Sequence, residues 1–144
     1  MRMLLSLPSR RLRSKRHHCD RLEALESRRL LAGDVIINEF LAENNDALLD
    51  YYDESSDWLE LLNTGPGNVD LGGWYLTDDS SNLQKWQFPE SRIIAPQDLL
   101  VVHASGRDLT APNDQPHTNF VLDPNGEYLA LVEPDGSTIS WEST

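Results

Sequence analysis

The chain has 144 residues, of which 39% are hydrophobic, and a formal net charge of −12 at pH 7. That length leaves room for a single hydrophobic core, and no apolar run approaches the ~18 residues of a membrane-spanning helix. The single cysteine, Cys19, excludes an intramolecular disulfide, so a folded domain here must rest on its core.

The charge is divided unevenly. Residues 1–33 hold nine Arg and Lys against three Asp and Glu, a net of +6, while residues 34–144 hold three against twenty-one, a net of −18. The division predicts a basic N-terminal arm over 1–33, a possible targeting segment, and one acidic domain over 34–144. Only the arm could attract phosphate or anionic lipid. Within it Arg10-Arg11-Leu12-Arg13-Ser14-Lys15-Arg16 is a basic cluster, and Leu22, Leu25, Arg29 and Leu30 recur at helical spacing. They predict a short helix over 20–32 ended by Gly33, with a disordered basic arm as the alternative. An ordinary secretory signal needs a continuous apolar core, which the arm lacks, and Ser9-Arg10-Arg11 lacks the same stretch as a twin-arginine start. His17, His18 and Cys19 are adjacent, and adjacent side chains rarely converge on one ion without further ligands. The stretch 22–32 resembles the N-terminal tag of large bacterial surface and secreted proteins, which implies export. A nucleic-acid or anionic-membrane arm and a solvated tail stay open beside that reading.

From residue 34 onward the pattern changes to short strands. Candidates lie at 35–41, 58–62, 74–77, 85–88, 92–95, 99–104, 118–122, 128–133 and 138–141, with Gly, Pro, Asn and Asp clusters between them. Short strands with regular turn signals and no helical period predict an all-β antiparallel sandwich or barrel. The first long connection, 43–57, carries Asp46, Asp50, Asp53, Glu54 and Asp57. These carboxylates could hold calcium through hard oxygen ligands, although their spacing does not follow the alternating calcium loop, and a solvated surface loop is the competing reading.

In the next run, 57–78, Trp58, Glu60 and Leu62 alternate with Leu59 and Leu61, so one face of that strand is purely apolar. Thr64-Gly65-Pro66-Gly67-Asn68 then reverses the chain, and the second Trp-bearing segment at 74–78 predicts a hairpin-like unit with the first. Leu99-Leu100-Val101-Val102 is apolar on both faces and predicts a central strand covered on each side. Glu133-Pro134-Asp135-Gly136-Ser137 predicts a tight hairpin in which Gly136 supplies a positive φ. Asp78-Asp79 and the turn 123–127 read as turn chemistry, since Asp and Asn bond their own backbone.

Catalytic signals are weak. Carboxylates are plentiful, but no motif fixes the distance between two of them. His103, His117 and Ser105 invite a Ser-His-Asp reading, yet no Gly-x-Ser-x-Gly elbow is present, so no catalytic residue is assigned. His117 is expected to be a hydrogen-bonding residue at a strand end. Trp58 and Trp74 are expected to pack in the core, and Trp141 is the best candidate for exposure.

The order Asp57-Trp58-Leu59-Glu60-Leu61, then Asn63, then Val69-Asp70-Leu71 and Gly73-Trp74 resembles the core of the lamin tail domain family. The resemblance continues through Ile36-Ile37-Asn38-Glu39-Phe40 upstream and Lys85-Trp86-Gln87-Phe88-Pro89, Leu99 to Ser105, His117-Thr118-Asn119-Phe120 and Gly126-Glu127-Tyr128-Leu129 downstream. It implies an immunoglobulin-like antiparallel β-sandwich in which Asp57, Trp58, Glu60, Asn63, Asp70, Gly73 and Trp74 act first as fold determinants. It further implies a non-catalytic structural or protein-interaction module, needing no cofactor, in a bacterial cell-surface or secreted protein. Its partner would be a protein or a component of the cell envelope. Two other functions stay open: nucleic-acid binding through the arm, and calcium-dependent adhesion through the loop 43–57. Without export the protein would be cytoplasmic. The end just after the last strand fits a piece of a longer gene.

Overall fold

The computed structural model describes residues 34–111, 114–126 and 128–143. The helix expected over 20–32 therefore lies outside the described residues. Eleven strands follow one another: β1 (Val35–Leu41), β2 (Asp57–Asn63), β3 (Val69–Asp70), β4 (Tyr75–Thr77), β5 (Trp86–Gln87), β6 (Ile93–Ile94), β7 (Leu99–Ala104), β8 (Leu109–Thr110), β9 (Pro116–His117), β10 (Ala130–Val132) and β11 (Ile139–Glu142). They form a five-stranded sheet, β1-β2-β7-β9-β8, a four-stranded sheet, β11-β10-β4-β5, and a small pair, β3-β6. The fold is all-β and immunoglobulin-like, and its pairs are antiparallel except for β7 and β9, which run parallel through His103 and His117.

The core lies between the two large sheets. Val35, Ile37, Leu59, Leu61 and Val102 enter it from the first, and Leu76, Trp86 and Leu131 from the second, with Leu71, Trp74 and Phe88 from the connections. In β2 the period of two works as expected, since Leu59 and Leu61 are fully buried while Trp58, Glu60 and Leu62 lie on the other face. Each fully buried Leu contributes about 1.5–3 kcal/mol relative to exposure.

Several expectations need correction. The two Trp-bearing segments do not form a hairpin: β2 pairs with β1 and β7, whereas β4 belongs to the opposite sheet. The turn formers at 64–68 instead lead the chain toward the opposite sheet, and this path buries Leu71 and Trp74 in the core. β10 has all three of its residues buried, and β7 is covered on both faces only over Val102, His103 and Ala104. β7 is central in its sheet, but Leu99 is 53% exposed. No continuous strand forms at 118–122; Val121 makes one isolated bridge to Ser105, and the Thr118 hydroxyl donates to Phe120 O at 2.7 Å, a local bond that competes with the ladder. The two-residue strands β3, β8 and β9 are too short to leave an alternation signal.

The hairpin expected at 133–137 is present between β10 and β11. Gly136 has φ +71° and its N–H donates to Glu133 O. Asp135 accepts from the Thr138 hydroxyl and the Thr138 and Ser137 N–H groups, and these donors hold its carboxyl down at about 2. Asp79 and Asp123 close their turns in the same manner, on Ser81 and Asn125. Trp74 and Trp86 are core residues, as packing requires, but Trp141 is half-buried against the core and is not the exposed one. Trp58 lies on the outer face of its sheet and outside the core cluster.

Candidate functional site

Most of the polar fold determinants tie connections to strands. Asn63, fully buried, donates from Nδ2 to Gly67 O and Ile94 O and accepts at Oδ1 from the Gly65 N–H, so one amide fixes the whole turn after β2. Asp70 accepts from the Gly72 and Arg92 N–H groups and the Ser91 hydroxyl, and these bonds hold its carboxyl below the usual range. Gly73 adopts φ +83°, which only glycine takes without strain, and its N–H donates to Phe88 O. Glu60 accepts from the Asn38 amide on the outer face. Asp57 accepts the Asn44 N–H on one oxygen and the Leu122 N–H on the other, joining the loop before β2 to the segment after β9.

The loop at 43–56 is more constructed than a solvated connection. Two buried polar residues organise it. Asn44 donates to Leu48 O and Ser56 O and accepts from the Ala47 N–H. Asp50 accepts from the Tyr52 and Glu54 N–H groups on one oxygen and from the Ser56 hydroxyl on the other. Burial works against its charge, but the Ser56, Glu54 and Tyr52 donors prevail and hold the carboxyl below its ordinary value. Glu43, Asp46 and Asp53 take positive φ angles near 60°, a conformation Asp tolerates better than most residues. Asp46 accepts from the Ser55 hydroxyl, and Glu54 pairs with Arg107, whose guanidinium stacks 4.5 Å over the Tyr52 ring. Held in this way, the loop displays Leu49, Tyr51 and Tyr52, which are 46, 48 and 40% exposed.

Of the carboxylates considered for calcium, Asp46, Asp50 and Asp57 accept hydrogen bonds from the chain and Glu54 pairs with Arg107. Among the described residues no group of three or more His, Cys, Asp or Glu side chains is arranged to hold a metal ion.

Beneath the loop, strand register lines up Leu41, Trp58, His103, His117 and Leu109 in one row across the outer face of the five-stranded sheet. His103 and His117 are fully buried and stacked, with ring centroids 5.0 Å apart and planes 24° apart. Tyr52 meets His117 edge-on, and Ser105 Oγ shares a hydrogen bond of 2.9 Å with His117 Nδ1. Both ring nitrogens of His103, Nε2 of His117 and Nε1 of Trp58 are buried without a protein hydrogen-bond partner among the described residues. Leaving such a group unpaired costs about 1–3 kcal/mol. Burial pushes both imidazoles below their ordinary pKa. The neighbouring His117 lowers His103 further and Arg107 lowers His117, against an opposing pull from Asp50 on each.

This constellation does not match an acyl-transfer triad. Ser105 occupies Nδ1, the other nitrogen has no carboxylate partner, and the Asp50 oxygens are held by loop donors. Near-parallel rings also direct their lone pairs along two planes, which does not suit shared ligation of one metal. His117 does form the strand-end hydrogen bond expected of it. The stacking with His103 had no signal in the sequence, because 14 residues separate the two and only the parallel β7–β9 pairing brings them together.

A two-layer sandwich whose buried polar groups shape loops belongs to the class of immunoglobulin-like modules. Residues 31–144 match the family model of the Lamin Tail Domain, and the chain belongs to that family. Such domains are structural and protein-interaction modules and are generally non-enzymatic. No curated protein matches the chain. The described residues contain no helix long and apolar enough to cross a membrane.

Proposed function

We propose that the protein is a non-catalytic interaction module of a bacterial cell-surface or secreted protein, and that it engages a protein or envelope component through the end of the sandwich bearing the loop 43–56. The observation that carries this reading is the display of Leu49, Tyr51 and Tyr52 on a loop fixed by Asn44 and Asp50. Exposed aromatic and aliphatic side chains gain most from burial at an interface, and a loop ordered in advance loses little entropy on binding. The net charge of −18 on residues 34–144 favours a cationic partner and would speed its approach at low salt. Export is supported by the resemblance of 22–32 to a bacterial tag.

A photo-crosslinking residue at position 49 in the full chain, expressed in its own cell, tests the site. Ile93 is 63% exposed in a different sheet and supplies the control position. The expected outcome is a discrete crosslinked species from position 49 that is missing from position 93 and lost in the Tyr51→Ser variant. Equal products from both positions would remove this end of the sandwich as the binding surface.

A further inference from the structure

The imidazoles under the loop have no part in the fold's hydrogen-bonded framework beyond the Ser105 contact, yet they occupy the seat on which the loop rests. A neutral imidazole carries one donor and one acceptor, while the protonated ring carries two donors and a charge. His103 already buries both nitrogens without a partner, so a second N–H would add a charged donor with nothing to receive it. A proton on His117 would put a cation 5.0 Å from the other ring and leave its Nε2–H without an acceptor.

The surroundings offer little relief. From the loop, Asp50 faces the pair, but its oxygens already hold the Tyr52 and Glu54 N–H groups and the Ser56 hydroxyl. Glu54 is taken by Arg107, and that cation, on the turn after β7, faces His117 with like charge. Asp57 on β2 accepts from Asn44 and Leu122. Within the row, β2 presents Trp58, and β1 and β8 present Leu41 and Leu109, none of them charged.

We propose that His103 and His117 form a proton-operated latch, which holds the loop 43–56 on the sheet while both are neutral and releases it when they are protonated. The binding consequence rests on the reading of that loop as the interaction surface; the latch itself does not. In the open form the imidazoles meet water and titrate near 6.5, whereas closure disfavours their charged forms. The closed loop is therefore fully stabilised above pH ~6.5, and that stabilisation is lost as the pH falls from there toward the depressed values of the closed form. The Asp50 carboxyl, held below its ordinary range, stays ionised between pH 7 and 5 and is not the trigger. Release is local because, among the described residues, the loop is attached chiefly through the Tyr51 N–H to Gln115, Glu54 to Arg107 and Asn44 to Asp57, whereas the opposite face of β2 and β7 is packed core.

Amide hydrogen exchange of the full chain at pH 7 and pH 5, corrected for intrinsic exchange rates, tests the latch. Protection of the Asn44 and Tyr51 amides, which donate to Asp57 and Gln115 outside the loop, should fall at least tenfold at pH 5, with a limit of roughly thirtyfold for each histidine that stays neutral in the closed form. The Leu59, Leu61 and Leu131 amides should keep theirs, and His103→Leu and His117→Gln should each reduce the response at Asn44 and Tyr51. An NMR titration of the wild-type imidazoles, which needs no variant, should find both His103 and His117 below the ordinary value. Unchanged loop protection, a fall shared equally by the core, or ordinary titration of both rings would overturn the proposal. Crosslinking from position 49 is independent: its failure with an intact pH response removes the interaction surface and leaves the latch.

Discussion

Single side chains in this fold do the work of whole turns, and Asn63 is the clearest instance. Its amide satisfies two carbonyls and one N–H across the crossing from β2 to β3, all with no exposure of its own. Asn63→Ala would leave three backbone groups unpaired and should lower stability by about 2–4 kcal/mol in denaturant unfolding. Asn63→Asp keeps the acceptor but loses both donors, so it should be nearly as damaging. A near-neutral Asp variant would mean that the Nδ2 bonds contribute little. Asn63 stands out in the sequence as part of a motif, but its partner Ile94 is 31 residues away, and no local pattern reveals that bond. The same holds for His103 and His117: their types were legible, their burial and stacking were not.

At the scale of elements, the long strands were readable and the connections were not. β1, β2 and β7 each exceed five residues, enough for alternation to appear, and β10–β11 carries a turn whose glycine has one physical reason to be there. Pairing is a different matter, because Trp58 and Trp74 look like partners in a hairpin until the burial of Leu71 and Trp74 sends the chain to the other sheet. The acidic loop 43–57 reads in the sequence as a calcium loop or a solvated one, and no local pattern reveals the hydrogen bonds that order it. Since Asp46, Asp50, Glu54 and Asp57 already accept from chain donors or pair with Arg107, calcium would have to displace those bonds. Thermal melting with millimolar calcium or with a chelator should therefore give the same midpoint. A ligand at a hundred times its dissociation constant would add ~2.7 kcal/mol, so a rise of several degrees with calcium would restore the metal reading.

For the molecule as a whole, the decisive quantity is the separation of charge between residues 1–33 and 34–144. A phosphate backbone is repelled by a domain carrying −18, so nucleic-acid affinity, if the chain has any, must come from the arm. Filter binding at physiological salt should find no retention for a chain starting at Asp34, whatever the full chain does. Retention by the shortened protein would refute the electrostatic argument and place nucleic-acid binding on the domain itself. The sequence by itself determined the charge division and the all-β class, because composition and period-two alternation are local, and it carried the ordered motifs at 57–74 on which the family resemblance rests. Only the tertiary structure decided which strands pair, that the acidic loop is a hydrogen-bonded platform, and that two histidines lie stacked beneath it, since each depends on contacts between residues far apart in the chain.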